Sequence, residues 1–210
     1  MDRAAFNPLT VYAEDFHLVA MDQRNAGSSS APLDVDDPWG SYVDDQLRIM
    51  DHLGLESFHV LGCCIGCSHA LRLAQRAPGR VTAAVLEQPI GIVGDNREHF
   101  EGMWREWAGQ LMARQPGVDP RTLEAFGNRM WAGEFVLSVS RDFVRHCETP
   151  LLVLPGIDHF HPTQVGREVA ELAPNAELLE PWKDTPELIE QAVDRIRLFL
   201  RQKAPSRASL

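Results

Sequence analysis

The chain has 210 residues, 44% apolar and 24% charged, which is the composition of one globular domain with a buried core. Thirty acidic residues against twenty lysines and arginines give a net charge of −10, and such a surface repels nucleic-acid backbones and anionic membranes. The N-terminus does not read as a secretory signal, and no apolar run has the length of a membrane span. We therefore expect neither a nucleic-acid nor a membrane partner.

Short apolar runs alternate with amphipathic ones along the chain. Strands that are apolar almost throughout and are separated by helices are typical of a parallel sheet covered on both faces. The sequence thus predicts an α/β fold with a mainly parallel sheet and helices on both faces. We predict strands at residues 16–21, 57–63, 81–86, 150–154 and 176–179, and helices at residues 42–53, 68–76 and 188–200.

Residues 91–148 break this alternation. Phe100, Trp104 and Trp107 recur at helical spacing there, and no central strand is evident. We predict a helical cap inserted into a single core formed by residues 1–90 and 149–200, with a frayed tail at 201–210. Ligands of open α/β sheets bind at the carboxyl ends of the strands, so such a cap would cover the site. The aromatic stripe is then cap core, substrate pocket, or both.

The strongest motif is Gly62-Cys63-Cys64-Ile65-Gly66, between a predicted strand and a predicted helix. It fits the pattern G-x-nucleophile-x-G, in which the nucleophile sits on a strained turn and the glycines let strand and helix approach. The N-terminal N–H groups of a helix favour a thiolate and stabilise an oxyanion. The motif predicts Cys64 as nucleophile and the Ile65 N–H as an oxyanion donor. The alternative is that Cys64 is only a small residue in a tight turn.

Two further stretches complete a resemblance to the α/β-hydrolase superfamily. Asp22-Gln23-Arg24-Asn25-Ala26-Gly27-Ser28-Ser29 resembles that family's D-x-R-G-x-G-x-S stretch, with Asn25 in place of a glycine. Residues 151–162 resemble the late strand and loop that carry the triad acid, which implies this role for Asp158. A cysteine nucleophile in this fold is similar to dienelactone hydrolase. The resemblance implies hydrolysis of an ester, thioester or lactone of a small molecule through an acyl-Cys64 intermediate, with no cofactor.

The chain departs from the family pattern at the position of the histidine that serves as general base. No histidine follows His161, and Pro181-Trp182-Lys183-Asp184 stands where the triad histidine belongs. His159 and His161 are candidate substitutes, and His161 is the one we assign to the site; the alternative is a pair of solvent-facing loop histidines. Cysteine suffers least from a missing base, because part of it is already thiolate near neutral pH.

The second departure lies at the N-terminal end of the sequence. The first predicted strand corresponds to the family's fourth, so we expect either a truncated chain or a reduced relative with an open sheet edge. Such an edge invites association, which leaves homo-oligomerisation open. With both departures, the rival hypothesis is a catalytically impaired or non-catalytic member of the fold that binds a small apolar ligand or a partner protein.

Several residues carry weaker alternatives. Glu87 is an alternative acid, Lys183 is a thiolate or carboxylate partner or a surface lysine, and His69 is expected to pack near the elbow helix. Asp158, His159 and His161 lack further ligands at a recognisable spacing, so we expect no metal.

The cysteines give one more alternative. Cys64-x-x-Cys67 matches a redox dithiol, although the clustering of three of the four cysteines is no disulfide framework and favours a reduced, cytoplasmic setting.

Overall fold

The computed structural model describes residues 5–203, in which a four-stranded sheet forms the centre. All pairings are parallel and the strand order follows the chain. The strands are β1 (Phe58–Cys63), β2 (Val81–Glu87), β3 (Leu151–Leu154) and β4 (Ala176–Leu178). Apolar runs with no polar alternation suit strands that are covered on both faces. The predicted α/β class is therefore confirmed.

Eight helices surround the sheet within residues 5–203, and none of them is long and apolar enough to cross a membrane. They are α1 (Pro8–Val11), α2 (Pro38–His52), α3 (Ile65–Arg76), α4 (Arg97–Arg114), α5 (Pro120–Trp131), α6 (Arg141–Arg145), α7 (Thr163–Leu172) and α8 (Pro186–Lys203).

The side chains of the two central strands alternate between two cores. Leu151 and Val153 of β3 point into a cluster with residues of α2, α3 and α7, whereas Leu152 and Leu154 pack with α8. The period of two along a strand is what places alternate residues on opposite faces. Helices consequently cover both faces, as the sequence predicts.

One predicted strand is wrong. Residues 16–21 form no strand, although Phe16 and Leu18 pack against the α8-side core. A strand needs the backbone of a neighbour to pair with, and none of the described strands pairs with this segment. The other seven predicted elements are present, with ends that differ by up to four residues. Helix α8 runs to Lys203, into the predicted tail, and the rest of that tail lies outside the described residues.

The segment between β2 and β3 is helical, as predicted, and contains α4, α5 and α6. Phe100 from α4 and Phe126 and Met130 from α5 are buried together with Trp39 and Tyr42 from α2. These contacts hold α4 and α5 against the edge of the core at which β1 ends.

Candidate active site

Cys64 occupies the turn between β1 and α3. Its backbone has φ 59° and ψ −124°, a region that non-glycine residues rarely adopt, and such strain persists only where the surroundings enforce it. The Cys64 N–H donates to the Glu87 carbonyl at 2.9 Å, which ties the turn to the end of β2. Ile65 is the first residue of α3, so its N–H has no acceptor within the helix. The turn thus has the strand-to-helix context that the motif requires.

The two glycines of the motif have different roles. A Cβ added to Gly62 would lie 2.2 Å from the Gly66 carbonyl oxygen, so only glycine lets β1 approach the first turn of α3. A Cβ added to Gly66 would meet nothing within 4 Å. The expectation that both glycines permit the close approach therefore holds for Gly62 only.

Of the neighbouring cysteines, Cys67 is buried and Cys63 is half-buried. The Cys67 thiol is 1% exposed and donates to the carbonyls of Gly62 and Glu87, each at 3.1 Å. Burial raises the pKa of Cys67 well above its ordinary value and raises the pKa of Cys63 to about 11. Thiols held in the protonated form are poor redox partners, which counts against the dithiol alternative.

Asp158 and His161 form a carboxylate–imidazole pair in the loop that follows β3. The Asp158 Oδ1 lies 2.7 Å from His161 Nδ1 and also accepts from the N–H groups of Phe160 at 2.9 Å and His161 at 3.0 Å. Burial would raise the pKa of Asp158, but the hydrogen bonds from the His161 side chain and these N–H groups lower it below its ordinary value. The carboxylate is thus ionised near neutral pH and orients the ring.

The other ring nitrogen of His161 is buried and has no partner among the described residues. This nitrogen is Nε2, and the side chain as a whole is buried as well. With Nδ1–H donating to Asp158, a neutral ring presents Nε2 as an acceptor. The alternative of two solvent-facing histidines therefore applies to His159 alone, which is exposed and stacks on His99 with ring centroids 5.2 Å apart.

Glu87, the alternative acid, ends β2 with its side chain 1% exposed and its Oε1 unpartnered among the described residues. Burial raises its pKa to about 8, so the carboxyl is mostly protonated at neutral pH. A neutral carboxyl gives an imidazolium little electrostatic support. Of the two candidate acids, Asp158 is the charged one.

The place after β4 is filled by other side chains. Trp182 is buried, and its Nε1 donates to the Pro155 carbonyl at 2.7 Å. Lys183 donates through Nζ to the Gln88 side-chain oxygen and lies 5.6 Å from the Trp182 ring. Lys183 is half-buried and partnered rather than a freely solvated surface lysine. His69 packs between the rings of Trp39 and Tyr42, as expected.

Aromatic residues of the inserted helices lie over the turn. Cys64, Ile65 and Phe160 all pack against the buried cluster that contains Phe100 and Phe126, so the turn and the Asp158 loop border the same apolar surface. A groove of about 580 Å³ between α4 and α5 is lined by residues of these helices, Phe100 and Trp104 among them, and not by Cys64, Asp158 or His161. Trp104 of the stripe packs directly on α5, since a Cβ added to Gly127 would lie 2.1 Å from its ring.

The family model of the alpha/beta hydrolase fold matches residues 5–175. The chain belongs to the α/β hydrolase fold family. The resemblance in the sequence rests on three parts of that fold: the sheet, the elbow turn at Cys64 and the loop after β3 that contains Asp158. In this α/β hydrolase fold chain, Cys64 stands at the elbow, and residues 179–203 contain no histidine.

Individual relatives agree with this assignment. The chain is 26% identical over 151 residues to N-formylmaleamate deformylase of Pseudomonas putida, with 71% of this chain and 54% of that protein covered. It is 30% identical over 84 residues to carboxylesterase YbfK of Bacillus subtilis, with 39% and 27% covered. The chain thus spans about half the length, or less, of these curated relatives.

Among solved structures, a meta-cleavage product hydrolase from Pseudomonas fluorescens IP01 superimposes with a TM-score of 0.68 at 20% identity, covering 92% of this chain and 83% of that one. At this identity the likeness establishes the shared α/β hydrolase fold.

Sequence reasoning missed two residues that position the site. Asn96 donates through Nδ2 to the carbonyls of Gly91 at 2.9 Å and His159 at 3.0 Å, which ties the inserted segment to the Asp158 loop. Gln88 links Lys183 to the end of β2. Neither belongs to a motif, and only their hydrogen-bond partners reveal them. Within residues 5–203, no group of three or more histidine, cysteine or acidic side chains is placed to hold a metal ion.

Proposed function

We propose that this α/β hydrolase fold protein hydrolyses an ester-type bond (ester, thioester or lactone) of a small molecule through an acyl-Cys64 intermediate. In this proposal His161 is the general acid and base, Asp158 orients it, and the Ile65 N–H stabilises the oxyanion. The observation that carries the proposal is the Asp158–His161 pair, whose buried Nε2 has no partner among the described residues. It supplies the base that the loop after β4 lacks.

The reaction proceeds in two halves. His161 Nε2 takes the proton of the Cys64 thiol, and the resulting thiolate attacks the carbonyl carbon. The tetrahedral intermediate places its oxyanion toward the first turn of α3. The C–O or C–S bond to the leaving group breaks, and the alkoxide or thiolate takes a proton from the imidazolium of His161. Water then attacks the acyl-Cys64 carbonyl while His161 accepts its proton, and the C–S bond to Cys64 breaks to release the carboxylic acid.

Two features support an acyl substrate with an apolar part. The turn borders the aromatic cluster of α4 and α5, and substrate pockets are mostly apolar with a few polar groups that fix orientation. Relatives that carry the names deformylase and carboxylesterase favour the same chemistry for this chain. The cap is the element that excludes water from the acyl intermediate in this proposal.

The first test is intact-protein mass spectrometry during incubation with a panel of activated esters and thioesters, with released product followed in parallel. We expect a stoichiometric acyl adduct that maps to Cys64, and product that continues beyond one equivalent. The Cys64→Ala variant is expected to lose both, whereas Cys63→Ala, which changes the adjacent thiol, is expected to retain them.

The outcomes separate the alternatives. An adduct with product stopping at one equivalent would show acylation without deacylation, and would contradict His161 as the base of the second half. Unchanged turnover in Cys64→Ala would reject the nucleophile. No adduct on folded protein would reject the hydrolase and favour the rival, a member of the fold that binds a ligand or a partner protein without catalysis.

A further inference from the structure

Asn96 is a buried amide at the start of the inserted helices. It directly precedes α4, is 7% exposed, and has partners for both polar atoms of its side chain. Its Nδ2 donates to the carbonyls of Gly91 at 2.9 Å and His159 at 3.0 Å, and its Oδ1 accepts from the Val93 N–H at 3.0 Å. A flipped amide would set its oxygen against two carbonyls, so these partners fix the orientation of the side chain.

The bond to His159 acts on the peptide unit that joins His159 to Phe160. The carbonyl of this unit accepts from Asn96, and its N–H donates to the Asp158 Oδ1 at 2.9 Å. Because a peptide unit is planar, a fixed carbonyl also sets the direction of its N–H. The same Oδ1 lies 2.7 Å from His161 Nδ1. Three successive hydrogen bonds therefore connect the amide to the imidazole, and we call them the Asn96 network.

Aromatic side chains of α4 hold the two residues on either side of this peptide unit. His99 stacks on His159 with ring centroids 5.2 Å apart and lies edge-on to Phe160 at 5.6 Å. Phe100 is also edge-on to Phe160, at 5.8 Å. Ring contacts keep the loop close to α4, but they do not set the direction of a carbonyl. That direction depends on the hydrogen bond from Asn96.

The Asp158 carboxylate depends on donors from the protein because water reaches it. Its side chain is 50% exposed, whereas that of His161 is 7% exposed. Burial would raise the pKa of Asp158, but the hydrogen bonds from His161 and from the Phe160 N–H lower it. The N–H that Asn96 helps to direct is thus one of the groups that stabilise the charged carboxylate.

We propose that Asn96 is a positioning residue, which acts through the peptide unit to hold the Asp158 carboxylate in the direction that orients His161. Asn96 touches neither the substrate nor the reacting atoms in this role. Its effect on catalysis rests on the proposed function, whereas its effect on Asp158 does not. In this proposal the inserted segment sets the geometry of the base in addition to covering the turn.

The test measures Asn96→Ala in two ways. One is the kcat and KM for an activated ester, and the other is the pH titration of the Asp158 carboxyl carbon, followed by ¹³C NMR. We expect kcat to fall by about 10–100-fold while KM stays within about threefold, because the base is misplaced and the substrate contacts are kept. We expect the pKa of Asp158 to rise toward its ordinary value, because the charged form loses a directed donor.

Asn175→Ala is the matched control. The Asn175 Nδ2 also donates to a backbone carbonyl, that of Glu148 at 2.9 Å, but it does so where β4 begins, at the opposite end of the sheet from the Asp158 loop. This variant removes the same kind of hydrogen bond and is expected to change neither kcat nor the titration of Asp158.

Two more variants separate the amide from its surroundings. Asn96→Ser keeps a residue that is favoured before a helix, but its side chain is one atom shorter and loses the bond to His159. It is expected to repeat both changes, and it serves as the test where Asn96→Ala does not fold. His99→Ala removes the ring contacts and keeps the Asn96 network, so we expect an unchanged Asp158 titration and a loss of kcat below about threefold.

An Asp158 titration that is the same in Asn96→Ala and in the unmodified chain would overturn the proposal. A shifted titration with unchanged kcat would also overturn it, because the network would then not position the base. Equal losses in Asn96→Ala and His99→Ala would assign the effect to the packing of α4. If the unmodified chain shows no turnover that depends on Cys64, the proposed function is rejected, and the Asp158 titration alone decides whether the network exists.

Discussion

The loops that follow β3 and β4 differ in what they offer to chemistry. The β3 loop holds a charged carboxylate, Asp158, against a buried imidazole with one unpartnered nitrogen, His161. The β4 loop, where the family pattern has its histidine, is filled by Trp182 and by Lys183, both of them hydrogen-bonded to the core. Under the proposed mechanism, the base stands three residues after the acid in one loop, and the later loop serves packing.

The largest expected effect is the loss of turnover when His161 of the β3 loop is replaced by alanine, compared with the same replacement of Lys183 in the β4 loop. In the proposed mechanism, His161→Ala removes the base of deacylation, and we expect turnover of an activated ester to fall by about 10²–10⁴-fold. Lys183→Ala is the counterpart from the β4 loop and is expected to change turnover by less than about threefold. Pre-steady-state kinetics on both variants would separate acylation from deacylation. A greater loss in Lys183→Ala than in His161→Ala would reverse the assignment.

A second prediction concerns Glu87, the last residue of β2, the strand between β1 and β3. Its pKa is raised from 4.5 to about 8 in the folded chain because burial disfavours the charged form. The unfolded chain ionises first, so this contribution to the free energy of unfolding is complete below pH 4.5 and is lost as the pH rises to about 8. The slope approaches about 1.4 kcal/mol per pH unit within that window.

Urea unfolding at several pH values between 5 and 8 measures this slope. The Glu87→Gln variant keeps the side-chain shape and has no charge to bury. We expect it to lose the Glu87 contribution to the slope of the free energy of unfolding against pH. An unchanged slope in the variant would show that the carboxyl is ionised in the fold, and would restore Glu87 as an acid candidate beside Asp158.

The elbow gives a matched pair of glycine substitutions. In Gly62→Ala the new Cβ meets the Gly66 carbonyl oxygen, and we expect the free energy of unfolding to fall by about 1–3 kcal/mol or more. Gly66→Ala enters open space within the first turn of α3 and is expected to be neutral or to stabilise by up to about 1 kcal/mol. Thermal unfolding of both variants measures the contrast. Equal destabilisation would contradict the close approach at Gly62.

The smallest expected effect tests the packing role of the β4 loop. Trp182→Phe keeps an aromatic ring but removes the Nε1–H donor to the Pro155 carbonyl, and we expect a loss of about 1–2 kcal/mol in the free energy of unfolding. Chemical denaturation measures it, and ester turnover at permissive temperature is expected to stay within about twofold. A large loss of turnover with unchanged stability would place the β4 loop in the chemistry after all.

Much of the fold could be predicted from periodicity and turn residues. The apolar runs that became β1, β2, β3 and β4 carry their signal locally, and so does the glycine-framed turn at Cys64. Residues 16–21 carry the same signal but form no strand, because strand formation also depends on a neighbour's backbone. Local sequence likewise could not decide between His159 and His161, because the two differ in burial and not in sequence context.

The sequence by itself determined the order of strands and helices, the strained turn at Cys64 and the position of Asp158 in a loop after a buried strand. Each of these depends on backbone propensity, side-chain period or motif spacing, which act over a few residues. Only the tertiary structure decided that His161 is buried beside Asp158 and that Glu87 is enclosed and mostly protonated at neutral pH. Burial, pKa and strand pairing depend on groups far apart in the chain, and folding is what brings those groups together.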